Sequence, residues 1–217
     1  AIVDPDMVAS IPAGLTAATG MDALTHAIEG YTTKGAWELS GLFRLKAIEL
    51  ISKNLRDLVN EAKAGPGSGR EGMALGQYIA GMGFSNVGLG IDYAMAHTLS
   101  AHYDTPHGVA CAMLLPIALE SNKPVAAKRL TDVAVAMGVD TEGMDTESAA
   151  DAAIEAVRKL SFDVGIPTTC EGLTEADLDQ LASDAMSDAC FPGNPRDASH
   201  EEVVGLFKKI LAKLFYG

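Results

Sequence analysis

Leu42, Leu45, Ile48, Ile51, Leu55 and Leu58 recur every three or four residues, with Arg44, Glu49, Lys53 and Asp57 between them. Apolar side chains at that interval share one face of an α-helix, so this segment reads as an amphipathic helix lying on a core. A second helix is predicted over TESAADAAIEAVRKLSFDV, ending at Gly165 and Pro167. Glycine accepts the left-handed position past a helix end, and proline cannot continue the helix. Beyond the first few residues no segment alternates apolar and polar with period two, and no fixed-length repeat recurs. The pattern predicts an all-α fold. AIVDP at residues 1–5 is the exception, a short apolar run stopped by Asp4 and Pro5 that reads as a strand with no sheet in this sequence to join.

Other local signals fill in the helical plan. AGPGSGRE is glycine-rich but follows a helix, not a strand, so it reads as a connector and not as a phosphate loop. From Glu71 to Asn86 the chain is apolar nearly all round and rich in small residues, which predicts a central helix packed on every side. Pro124 can open a helix at its first turn. Thr174 to Asp177 and Ser199 to Glu202 pair a capping residue with an acid three positions on, as at helix starts. Trp37, the single tryptophan, is expected to pack.

Composition narrows the function classes. The chain has 217 residues, 48% of them hydrophobic, enough for a real core in one domain or in one large piece of a two-domain protein. A net charge of −13 repels phosphate backbones and anionic membrane surfaces, so no nucleic-acid or membrane partner is expected. Cys111, Cys170 and Cys190 form no CxxC pair and indicate neither a disulfide framework nor a thiolate zinc site. No apolar run reaches the ~18 residues of a membrane span, and a reducing, cytoplasmic location fits best.

Chemistry concentrates in two places. Asp22 and His26 lie four residues apart in an otherwise apolar helical segment, one turn from each other on one face. The pair is compatible with half of a metal site and with an ordinary hydrogen-bonded Asp and His. His97, His102 and His107 then bring three of the five histidines into one short stretch. Carboxylate and imidazole together suit iron(II) or zinc, and an open coordination position would polarise a bound oxygen.

The blocks TAATGMDALTHAIEGYTT, GFSNVGLG, AMAHTLSAHYDTPHGVA, LLP and GNPRDAS, in this order and spacing, resemble the helical C-terminal half of the iron-containing alcohol dehydrogenase family. The resemblance spans almost the whole chain. It implies a dehydroquinate synthase-like helical domain over residues 1–217, with residues 1–5 as the end of the strand leading from a nucleotide-binding domain that this chain lacks. It also implies Fe2+ or Zn2+ as metal, NAD(P) held by that missing domain, and a small primary alcohol or aldehyde as substrate. The half alone is then expected to be inactive, and a homo-oligomer is compatible with the resemblance. By position, Asp22, His26 and His107 match metal ligands, and His97 matches a catalytic histidine beside metal and nicotinamide. Phe84 and Cys190 fall in regions bordering the substrate pocket. The pattern departs at one ligand: the family histidine four residues before His97 is Tyr93 here. That leaves two alternatives open, a helical scaffold or partner-binding domain with a partly lost metal site, and a related glycerol or hydroxy-acid dehydrogenase. His102 has no counterpart and reads as a surface histidine.

Overall fold

The computed structural model describes residues 1–64, 69–84 and 87–211, apart from the side chains of residues 63, 64 and 84. Among these residues the helical period becomes α1 (Ala13–Thr32), α2 (Glu38–Ala64), α3 (Gly69–Phe84), α4 (Ile91–Tyr103), α5 (His107–Ala136), α6 (Thr146–Val164), α7 (Leu178–Ser187) and α8 (His200–Lys208). The expected all-α architecture is present. No strand is assigned among the described residues, and the one isolated bridge pairs Cys170 with Leu211. α2 buries Ile48, Ile51 and Leu55 completely, as its period requires. α6 starts on Asp145, whose carboxylate accepts the Ser148 N–H, and ends on Gly165 in the left-handed conformation. Ser199 and Glu202 form the expected reciprocal cap at the start of α8.

Four expectations are corrected. Residues 1–4 form no strand, because a strand needs a neighbour to satisfy its backbone; Ile2 is exposed, and Pro5–Val8 is a short 3-10 turn capped by Asp4. Pro124 does not start a helix. It lies with Pro116 inside α5, whose residues are buried against neighbours on both sides, so tertiary packing outweighs the local cost of proline. α3 is not central: its small residues let one face approach α2, Gly76 lying against Leu50 and Ile51, while Leu75, Tyr78 and Met82 are exposed. Trp37 is 57% exposed and not packed in the core. Asn86 lies outside the described residues.

Two hydrophobic cores result, one among α1, α2, α3, α5 and α6, the other among α4, α5, α7 and α8. α5 belongs to both, with Ala112, Leu115 and Leu119 in the first and Cys111, Leu114 and Ala118 in the second. The polar seam between them is held by buried side chains. Glu29, on α1 and 3% exposed, accepts N–H groups at the start of α4 from Gly90 at 2.8 Å, Asp92 at 2.9 Å and Tyr93 at 3.3 Å. These are amides a helix start leaves without internal partners, and the helix dipole favours an acid there. Asn194 accepts the Ile91 N–H and exchanges amide hydrogen bonds with Asn122 of α5. Arg129 closes the other end of α1 by donating to the carbonyls of Tyr31, Thr32 and Thr33.

Burial pushes the Glu29 carboxyl from its ordinary 4.5 up to about 7, against the pull of the three amides. A carboxyl raised in this way holds a proton in the folded chain that the unfolded chain has released. Its contribution to stability is therefore full below the unfolded value and is lost as pH rises through the folded one. Glu29→Ala should orphan three buried N–H groups and lower unfolding free energy by about 3 kcal/mol or more in urea titrations. Glu29→Gln should flatten the fall in melting temperature between about pH 5 and 7.

Candidate metal centre

The seam formed by α1, α4 and α5 carries the chemistry-bearing side chains. The chain reaches this arrangement because α5 starts hard against α1: a Cβ on Gly108 would stand 2.3 Å from the Ala18 carbonyl oxygen. That approach brings His107, in the first turn of α5, to Asp22, with its Nε2 3.6 Å from Asp22 Oδ1. His26 Nδ1 lies 3.5 Å from the same oxygen, one turn along α1. Two ligand atoms each ~2.0–2.2 Å from a shared ion are separated by about 3.4 Å in a tetrahedron. Asp22 is thus spaced from both imidazoles as from fellow ligands.

Tyr93 stands among these groups. Its ring centroid is 4.6 Å from His26, 5.3 Å from His107 and 5.8 Å from His97. Its hydroxyl donates to Asp22 Oδ1 and is 2.6 Å from His26 Nδ1. Burial, with acidic groups around it, raises the phenol far above its ordinary value, so it is a neutral hydrogen-bond donor. Burial also lowers the pKa of His26 and His107, with Asp22 opposing the shift in both. Neutral imidazole is the form that binds metals. Carboxylate and neutral imidazole are donors that suit a divalent cation, and Asp22 is spaced from each imidazole as a fellow ligand would be. The three groups here whose ligand atoms all lie within 4.8 Å of one another, however, are Asp22, His107 and Cys111, while the phenol occupies the side where Asp22 and His26 face each other.

His97 is placed beside this group, its ring stacked on His107 at 5.2 Å and 16°. Its Nδ1 is 2.9 Å from Asp188 Oδ2, and Asp188 Oδ1 accepts the Cys190 N–H at 2.7 Å. Asp188 is partly buried, yet the Cys190 amide and His97 hold its carboxyl below the usual range. Burial and the adjacent Asp188 push the Cys190 thiol up to about 12, leaving it neutral. His102 is apart from the cluster, half exposed and paired with Asp184 at 2.8 Å, the surface histidine expected. The Phe84 side chain lies outside the described residues. A cleft of 820 Å³ opens next to the cluster, with Val3, Thr19, Asp22, His26, Met73 and Tyr78 on its wall.

Four residues of the site went unread in the sequence. Glu29 is three positions after His26 and looks like any helix acid until its partners on α4 are seen. Asp188 is remote in sequence. Asp92 is wholly buried and its carboxyl oxygens accept no hydrogen bond among the described residues; burial and then Glu29 and Asp22 raise its pKa well above the ordinary range. Cys111 carried a readable signal. It follows His107 by four residues, the spacing that drew notice to Asp22 and His26.

The sequence profile of the C-terminal part of the Fe-containing alcohol dehydrogenase family matches residues 16–211. The chain belongs to this family. Lactaldehyde reductase of Escherichia coli (strain K12) is 51% identical over 209 residues, covering 95% of this chain and 54% of the relative. 1,3-Propanediol dehydrogenase of Citrobacter freundii is 42% identical, with 96% and 54% covered. The crystal structure of a 1,3-propanediol oxidoreductase superposes with a TM-score of 0.92 at 40% identity, covering 96% of this chain and 55% of that one. The chain thus spans about half the length of the family members it matches.

Asp92 supplies a test of how the family scaffold tolerates a buried acid at this point. Replacing it by the near-isosteric valine removes a carboxyl without partners among the described residues. Asp92→Val should raise unfolding free energy by about 1–3 kcal/mol in urea titrations at neutral pH. A loss of stability would mean that the carboxyl has a partner and contributes to the fold.

Proposed function

We propose that the chain is the metal- and substrate-binding half of an NAD(P)-dependent alcohol dehydrogenase or aldehyde reductase for small primary alcohols of the propanediol and lactaldehyde kind. The convergence of Asp22, His26 and His107 beside His97, at the edge of a cleft, carries this reading. The names of relatives agree with it: lactaldehyde reductase, 1,3-propanediol dehydrogenase, and an NAD-dependent methanol dehydrogenase of Bacillus methanolicus that is 37% identical.

In this reading Asp22, His26 and His107 hold Fe2+ or Zn2+, and such a cation, when bound, supplies the electrophile that polarises an alcohol or carbonyl oxygen. Asp188 fixes the His97 ring through Nδ1, which leaves Nε2 to accept or return a proton at the substrate hydroxyl. Cys190, a neutral thiol beside His97, borders the substrate, and Phe84 is assigned to the same pocket by the family resemblance alone. Tyr93 keeps its proton and offers it to Asp22. The chain spans about half the length of these relatives, and in this reading the nucleotide is bound by the other half, without which no turnover is expected.

Equilibrium dialysis of the chain against Zn2+, and against Fe2+ without oxygen, tests this reading. Stoichiometric binding is expected in the wild type and lost in His107→Ala. Tyr93→His should bind about 10-fold tighter or more, because an imidazole replaces a competing phenol. His102→Ala should bind as the wild type does. If the wild type takes up no ion and Tyr93→His gains nothing, the chain is a helical scaffold that has lost the metal, the reading that the Tyr93 hydrogen bonds to Asp22 and His26 would then favour.

A further inference from the structure

We propose that Cys111 is a metal ligand, so that the ion is held by an oxygen, nitrogen and sulfur set of Asp22, His107 and Cys111. This rests on the reading of Asp22 and His107 as ligands and takes Cys111 in place of His26, whose Nδ1 the Tyr93 hydroxyl engages at 2.6 Å. Three observations lead to it. Ligand atoms of Asp22, His107 and Cys111 all lie within 4.8 Å of one another. Cys111 Sγ is 3.5 Å from His107 Nε2, the same ring nitrogen that stands 3.6 Å from Asp22 Oδ1. With bonds of ~2.3 Å to sulfur and ~2.0–2.1 Å to nitrogen, a tetrahedral zinc sets these two atoms about 3.6 Å apart.

The local helix explains why the thiol is available. His107 and Cys111 are one turn apart at the start of α5, and with α1 let in closely at Gly108 both place a ligand atom within 4.8 Å of Asp22. Cys111 is fully buried, so its role is not that of a surface thiol. The phenol of Tyr93 engages Asp22 and His26 and also contacts the Cys111 thiol, a contact that a bound ion would replace. An imidazole is missing from the family pattern there, and a thiol supplies the replacement donor one helix away.

On binding, Zn2+ replaces the thiol proton: the S–H bond breaks, its electron pair forms the zinc–sulfur bond, and one proton passes to solvent. No oxidant or reductant is involved. Sulfur donation shifts the preference from iron(II) towards zinc, and three protein ligands leave a fourth position for water or substrate.

X-ray absorption on the zinc-loaded chain reads the ligand set without any substitution. The expected result is one sulfur at ~2.3 Å alongside nitrogen and oxygen at ~2.0–2.1 Å. Cobalt(II) titration adds a variant test: the wild type and Cys190→Ser should show near-ultraviolet thiolate-to-cobalt absorption, and Cys111→Ser should lose it. A shell of nitrogen and oxygen only, with binding still abolished in His107→Ala, would overturn the sulfur ligand and leave the proposed function standing. Loss of the cobalt band in Cys190→Ser in place of Cys111→Ser would assign the sulfur to the cluster with His97 and Asp188, and would also overturn it. No metal uptake at all would remove both readings.

Discussion

The start of α4 hangs on one buried carboxylate. Glu29 reaches from α1 and gathers the amides of Gly90, Asp92 and Tyr93, which fixes the rotation of α4 about its own axis relative to α1. Tyr93 and His97 are consecutive turns of that helix, and Asp22 and His26 are consecutive turns of the other. The single acid thus sets the relation between the two pairs. A shift of α4 by one residue would turn its side chains by about 100° and would take the phenol and imidazole away from the site. Asn194 and Asn122 lock the same junction from the α5 side, so three helices share one polar seam between two apolar cores.

Local information in the sequence was sufficient where a residue acts on its own helix. α2 follows from Ile48, Ile51 and Leu55 because burial of one face needs only a helical period. The end of α6 follows from Gly165, and the cap of α8 from Ser199 and Glu202, since each acts within a turn of itself. Pro124 misled for the complementary reason: its local cost is real, but α5 is buried from both sides and tolerates it. The run around α3 misled because apolar character says how much surface could be covered, and not whether a neighbour is there to cover it. Leu75, Tyr78 and Met82 are left facing outward.

The site was legible in some of its residues for a similar reason. Asp22, His26, His97 and His107 could be placed by spacing and by resemblance, and the structure brings all four together. Glu29, Asp92 and Asp188 could not, because their partners come from distant segments. Tyr93 was seen as a departure from the pattern, but its consequence needed coordinates. The phenol spans Asp22 and His26 by hydrogen bonds, so two of the groups assigned to the metal are already engaged by it. Family membership therefore describes the scaffold more fully than it describes the ion.

Gly108 acts at this site through what it lacks. Because the two helix backbones meet there with no side chain between them, the gap across which His107 and Asp22 face each other is set by main-chain contact, not by flexible side chains. In the proposed site the radius of an ion bridging them would be gauged by that backbone approach. Ionic size, and not donor chemistry alone, would then enter the selection: a cation much larger than iron(II) or zinc would have to push α1 and α5 apart, although both belong to a shared core, and the cost of that separation would fall on the fold itself.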